Sequence, residues 1–211
     1  MHIFSDALVI QLLDGAVACL FGAAATCRAR VSGANLAGAL ILGCIAGLVA
    51  PILRETILHG QAGLQLVMDA LPTQAFIGAC AAIFALFILG KRGHFLFFWL
   101  DSLAICLGAS LFAALALPEL GIAAALILGI GCALFPGLVR DVALGDVAMF
   151  IDKGWYASCV ALAAIGSLFI IVLWHIVPVP AFLSERPGEM GTLGGALTGL
   201  LLRYWKGWEI F

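Results

Sequence analysis

Seven stretches of mostly apolar residues, at 6–28, 34–58, 73–90, 95–117, 120–145, 155–176 and 189–206, restrict this chain to very few architectures. A hydrocarbon core about 30 Å thick needs roughly 20 such residues per helical crossing, and each stretch offers about that length. The stretches are rich in Leu, Ala and Gly and lack the period-two alternation of a membrane barrel, so all-α crossings are expected. Composition agrees: 64% hydrophobic and 10% charged residues, with a mean hydropathy of +1.20, are too apolar for a soluble domain of 211 residues.

The N-terminal Met-His-Ile-Phe-Ser-Asp has no Lys or Arg before its apolar run and no evident cleavage site, unlike a removable signal peptide. Basic residues divide unevenly between alternate loops. Arg28, Arg30, Lys91, Arg92, Lys153, Arg203 and Lys206 fall on one side, with little beyond Arg54 and Arg186 on the other. The positive-inside tendency then places the N-terminus outside and the C-terminus in the cytoplasm. Basic residues at helix ends form no patch, so no nucleic-acid partner is expected.

A repeat organises the chain. Leu13-Asp14, Cys19, Ala39-Leu40-Ile41-Leu42-Gly43, Pro51 and Arg54-Glu55 recur as Leu100-Asp101, Cys106, Ala125-Leu126-Ile127-Leu128-Gly129, Pro136 and Arg140-Asp141. Each copy spans three helices, an odd number, so the second copy must enter the membrane from the opposite side. The expected plan is a 3+3 inverted repeat plus one helix: 1–94, 95–180, and 181–211 with the seventh helix. Gly191, Gly195 and Gly199 recur every four residues on that last helix, a face suited to close backbone approach.

Proline lacks an N–H, and its ring clashes with the carbonyl four residues back. Pro51 is therefore expected to interrupt the second helix and free the carbonyl of Gly47 or a neighbour. Pro136, with Gly129, Gly131 and Gly137 around it, should do the same in the fifth. Unsatisfied carbonyls in hydrocarbon cost several kcal/mol, so two symmetric breaks predict a shared wet constriction. Arg54-Glu55 and Arg140-Asp141 follow the prolines toward opposite faces, where the arginines are expected to line vestibules or bond freed carbonyls. Asp14 and Asp101 suit two uses equally: structural pairs with Arg54 and Arg140, or an ion site.

The seven cysteines (19, 27, 44, 80, 106, 132 and 159) lie in apolar segments without paired Cys-x-x-Cys spacing and are read as packing residues. His2, His59, His94 and His175 sit near helix ends with no carboxylate or second histidine recognised at ligand spacing, so neither a metal nor a cofactor is expected. Ser102 and Ser110 could face a pore or bond helix backbone. Trp99, Trp155, Tyr156, Trp174, Tyr204, Trp205 and Trp208 are expected as interfacial anchors. No Gly-x-Ser-x-Gly or His-Glu-x-x-His array is present, so an enzyme is not expected.

The order of helix, proline and Arg-acid pair, twice in a seven-helix chain of this length, resembles the prokaryotic branch of the trimeric intracellular cation channel family. The likeness runs from about Leu12 to the end of the seventh helix and is strongest over Ala39–Glu55 and Ala125–Gly145. That family typically carries a triple glycine just before x-x-Arg-Asp in each unit. Here the stretches read Val49-Ala50-Pro51-Ile52-Leu53-Arg54-Glu55 and Phe135-Pro136-Gly137-Leu138-Val139-Arg140-Asp141, so only Gly137 remains.

The resemblance implies a homotrimer in a bacterial inner membrane, each protomer holding an hourglass pore for monovalent cations such as potassium, with membrane lipid bound nearby. The pore and gate residues expected from it and from the repeat are Gly47, Val49, Pro51, Arg54, Glu55, Gly131, Phe135, Pro136, Gly137, Arg140 and Asp141. The bulky Val49, Pro51, Phe135 and Pro136 should narrow or dry the constriction. Inverted repeats with broken helices also serve alternating access, so a carrier of small, amino-acid-like solutes is the competing expectation.

Overall fold

The computed structural model describes residues 7–89, 93–152, 154–177 and 186–207. Lys91, Arg92, Lys153, His2 and Trp208, all used in the sequence reading, lie outside them. The helices are α1 (Ala7–Val31), α2 (Leu36–His59), α3 (Gln61–Leu89), a 52-residue stretch Gly93–Leu144, α6 (Gly154–Ile176) and α7 (Pro187–Gly207). Gly121, at φ 75° and ψ 174°, divides the long stretch into α4 (93–120) and α5 (122–144). A single helical turn, Met149–Asp152, precedes α6.

Seven long helices thus replace seven apolar stretches, and no strand occurs among the described residues. Five of the helical segments, counting Gly93–Leu144 once, are long and apolar enough to cross a bilayer, so this is a multi-pass membrane protein. The remaining one, α7, contains Glu189 and Arg203 and gains its place by packing. Gly191 and Gly195 meet Ser167 of α6, and Gly199 meets Cys159 and Cys106. A methyl group at Gly195 would strike the Ala163 carbonyl and Ser167 backbone, so the glycine stripe works as a close-packing face.

Two boundaries differ from expectation. First, α3 begins at Gln61 rather than 73, because Gly60, at φ 61°, reverses the chain in one residue while its N–H bonds the Thr56 carbonyl. The apolar crossing begins only at Leu71; the polar Gln61, Gln65 and Asp69 masked the preceding helical turns. Second, neither Pro51 nor Pro136 interrupts its helix, and helical assignment continues through both. One missing N–H costs one bond in a long helix, and close packing against neighbours maintains the rest. The backbone break falls at Gly121, whose positive φ an L side chain would resist.

Two polar side-chain contacts orient the helices. His59 at the end of α2 faces Glu119 at the end of α4, Nε2 to Oε1 3.8 Å, while Arg28 near the end of α1 bonds Asp146 just after α5 at 2.8 Å. The first contact joins the α2/α3 and α4/α5 turns on one face. The second joins the α1/α2 and α5/α6 connections on the other. Accordingly α1 and α4 start from opposite faces, and the two helix triplets run in opposite senses.

Candidate functional site

The correspondence between the two halves lies in a stripe of burial rather than in the prolines. On α2 the buried positions include Ala39, Gly43, Gly47, Ala50, Pro51 and Arg54; on α5 they recur 86 residues later as Ala125, Gly129, Ala133, Pro136, Gly137 and Arg140. Pro51 therefore matches Gly137, and Pro136 matches Ala50. Small residues occupy the stripe because helices pass close there. The space beside Gly47 is filled by the Ala18 carbonyl and Ala75, and that beside Gly129 by Ala109 and Ala113. Gly47 is a packing contact with α1 and α3.

Each stripe ends in an arginine held by carboxylates. In the first half, Arg54 Nη1 and Nη2 donate to the two oxygens of Asp14 at 2.5 and 2.9 Å. Its Nε and Nη2 donate to Glu55 Oε1 at 2.9 and 2.6 Å, and the guanidinium lies 5.2 Å from the Phe112 ring centre. Glu55 Oε2 bonds His59 Nδ1 at 2.7 Å, a helical i,i+4 pair that the sequence reading overlooked. In the second half, Arg140 donates to Asp101 at 2.6 Å and to Asp141 at 2.7 Å, with Phe97 4.9 Å from its guanidinium. The other Asp141 oxygen accepts the Met149 N–H at 2.9 Å.

Both intramembrane aspartates are therefore engaged in arginine pairs, and the arginines bond carboxylates instead of the carbonyls expected to be freed by the prolines. A charge in a bilayer persists when paired and hydrogen-bonded; the bidentate Arg54–Asp14 pair and the single bonds of Arg140 to two acids provide both. The arginine and two acids of each set come from α1 with α2, or from α4 with α5, so the same local design is built twice.

The halves differ in what else surrounds them. A cavity of about 380 Å³ opens against the first cluster, lined by Ala7, Ile10, Gln11, Asp14, Arg54, Glu55, Val67, Leu71 and Gln74. The Gln74 side-chain oxygen is buried there without a hydrogen-bond partner among the described residues. Past Arg54 lies Phe112, part of a buried apolar cluster that also contains Phe21, Ala50, Cys132 and Ala133. The second cluster is enclosed: Asp101 is 1% exposed, with Tyr156 Oη at 3.2 Å and Arg203 Nη2 at 3.4 Å.

Tyr156 and Arg203 correct two expectations. Tyr156 is a buried hydrogen-bond donor rather than an interfacial anchor, and Arg203 is inside the bundle rather than in a cytoplasmic loop. Sequence periodicity could not find them, because α6 and α7 approach α4 only through tertiary packing. Arg203 also donates from Nε to Ser102 at 3.0 Å, while Ser102 bonds the Phe98 carbonyl and Ser110 the Ala163 carbonyl. Both serines thus bond helix backbone.

Among the expected constriction residues, Pro51, Pro136 and Gly137 are buried and Val49 is half-buried. Phe135 is 41% exposed, on the same accessible side of α5 as Ile127 and Gly131, where an added methyl would meet nothing within 4 Å. The cysteines are free and mostly buried or half-buried, though Cys80 is exposed. Among the described residues, no group of three or more His, Cys, Asp or Glu side chains is arranged to hold a metal ion.

No protein-family model and no curated protein matches the chain. Solved structures do. A prokaryotic TRIC channel crystallised in 0.5 M KCl superposes with a TM-score of 0.75 at 18% identity, covering 95% of this chain and 98% of that one. A TRIC cation channel structure addressing conductance gives 0.71 at 19% identity, over 95% and 93%. The TRIC trimeric intracellular cation channel orthologue from Rhodobacter sphaeroides gives 0.75 at 23% identity, over 93% and 98%. With seven long helices and near-complete coverage in both directions, this chain has the fold of the prokaryotic TRIC channels.

Proposed function

We propose that this protein is a monovalent-cation channel, with potassium as its expected ion, acting as a homotrimer whose protomers each contain a permeation path bounded by α2 and α5. The observation that carries this reading is the cavity at Asp14, Arg54 and Glu55. One arginine opposes two carboxylates there, leaving, with His59 counted neutral, one formal negative charge beside the Gln74 oxygen, which has no hydrogen-bond partner among the described residues. Oxygen ligands and net negative charge favour a partly hydrated cation. The fold shared with structures described as cation channels supports the same reading.

Against an amino-acid carrier, every donor nitrogen of Arg54 already serves Asp14 or Glu55, so a substrate carboxylate would have to displace one of them. The arginine is better suited to fixing two acids at a pore mouth than to binding cargo. We assign the narrow part of the path to the apolar packing beyond Arg54, with Phe21, Ala50, Phe112 and Ala133, and place Val49 and Phe135 at its outer edge, Phe135 on the accessible side of α5. An apolar segment next to a charged mouth is a constriction in series with it.

The repeats are taken as 1–94 and 95–180, with 181–211 accessory. The face bearing Arg28 and Arg30 is assigned to the cytoplasm of a bacterial inner membrane. An apolar groove of about 240 Å³ between α5 and α6, lined by residues including Ile122, Leu126 and Phe169, suits a lipid acyl chain.

Potassium flux into liposomes containing the full chain tests the reading. Voltage-driven, non-saturating flux is expected, whereas saturation with counterflow would identify a carrier and flux no greater than in empty liposomes would reject transport. Glu55→Gln removes the surplus charge at the first mouth and should lower potassium flux on the order of tenfold at low salt, less at high salt. Equal flux at both salt concentrations would dissociate Glu55 from permeation. In planar bilayers, Phe135→Gly should raise open probability; unchanged gating and conductance would remove Phe135 from the constriction.

A further inference from the structure

The two carboxylate–arginine clusters have the same local formula, one arginine and two acids, yet, with His59 counted neutral, only the first keeps its net charge. At the second, α7 inserts Arg203, which lies 3.4 Å from Asp101, is 3% exposed, and stacks 4.6 Å from the centre of Tyr156 and 5.1 Å from that of Phe98. Arg203 stands outside both repeated triplets, and among the described residues the first mouth has no second guanidinium, its further partner being His59 on Glu55. The Arg203 guanidinium brings the second cluster to formal neutrality. It also occupies, with Tyr156, the space beside Asp101 corresponding to the open cavity beside Asp14.

We propose that Arg203 is the residue that closes the second mouth and sets its charge, so that permeation through this protein is limited by the α7 insertion at Asp101. This rests on the channel reading above. Without Arg203, Asp101 Oδ1 keeps Arg140 at 2.6 Å and Tyr156 at 3.2 Å, while Oδ2, which Arg203 reaches at 3.4 Å, is left for water to solvate. Removing the third partner converts the second mouth into an electrostatic copy of the first: negative by one charge, with room for water. A focused negative field raises local cation concentration and entry rate, an effect on the order of tenfold or more in a low-dielectric cleft.

The chain contains its own reporters. Cys106 lies one helical turn deeper than Ser102 on α4 and faces Gly199, one turn from Arg203 on α7; it is wholly buried. Cys27 and Cys132 are buried elsewhere in the bundle. The experiment compares wild type, Arg203→Gln and Arg203→Lys in liposomes. A membrane-impermeant cationic thiosulfonate is applied, modification of each cysteine is read by peptide mass spectrometry, and potassium and chloride fluxes are measured in parallel.

Arg203→Gln is expected to accelerate Cys106 modification on the order of tenfold while Cys27 and Cys132 stay protected, and to raise potassium flux and the cation-to-anion ratio by a similar factor. Arg203→Lys keeps the charge and should keep both readouts near wild type. Unchanged Cys106 reactivity in Arg203→Gln would overturn the closure. Equal exposure of all three thiols would make Arg203 a structural residue instead, and an opened Cys106 with unchanged potassium flux would show that this mouth does not limit permeation. Absent potassium flux in every variant, with Cys106 selectively opened, would reject the channel reading while retaining Arg203 as the cover of the pocket.

Discussion

Replacing Arg140 by glutamine is expected to be among the most destabilising single changes in this protein. Arg140 is 2% exposed and holds both Asp101 and Asp141, so its loss leaves one acid with Arg203 and the other without its arginine. Breaking a buried pair by removing one partner costs about 3–5 kcal/mol, because the remaining charge stays desolvated. Thermal unfolding of detergent-solubilised protein, followed by loss of the monodisperse chromatographic peak, should show an apparent Tm lower by about 10 °C. The Arg140→Gln/Asp141→Asn variant should regain most of that loss, since Asp101 then keeps Arg203 as its counter-charge and no acid of the cluster is left without a cation.

Arg54→Gln should cost less than Arg140→Gln, although the two arginines are equivalent in the repeat. Asp14 and Glu55 border a cavity that water can enter, and their side chains are 11% and 12% exposed, compared with 1% and 2% for Asp101 and Asp141. Water partly compensates for the lost guanidinium at the first site and has less access to the second. Equal destabilisation by both substitutions would contradict the asymmetry on which the assignment of an open and a closed mouth depends.

A second large effect is expected at Gly78, on α3. A methyl group there would run into the backbone of Cys19 on α1, and neither partner has a flexible side chain that can yield. Gly78→Ala should therefore separate α1 from α3 and lower stability by about 1–3 kcal/mol, the usual range for overpacking a filled interior. Gly131→Ala is the matched control: nothing lies within 4 Å of the added methyl, and alanine is the better helix former. It should be neutral to slightly stabilising. A Gly78→Ala protein as stable as wild type would mean that α1 and α3 slide apart easily, against the close packing described.

Asp14 and Arg54 show how far sequence could carry the site. Their positions within apolar stretches, repeated at Asp101 and Arg140, required partners or water, and the required pairing is what the structure provides. Glu55 and His59 were equally legible as an i,i+4 pair on one helix, because that proximity is local. The prolines pointed the wrong way. A missing N–H is visible in sequence, but whether a helix breaks depends on neighbours that support it, and α2 and α5 remain continuous.

By itself the amino-acid order determined the solvent, the seven helices and the doubled Asp…Arg-acid frame, because hydrophobic length, charge and spacing are properties of the chain that apply before any distant contact forms. The break at Gly121, the apolar packing beyond Arg54 and the insertion of Arg203 beside Asp101 were decided only in three dimensions. Arg203 is 102 residues from its carboxylate, and in sequence it resembles an ordinary basic helix end. It becomes a buried counter-charge because the glycine stripe of α7 draws that helix against α6 and close to α4; the stripe is visible in sequence, but which helices it meets is not.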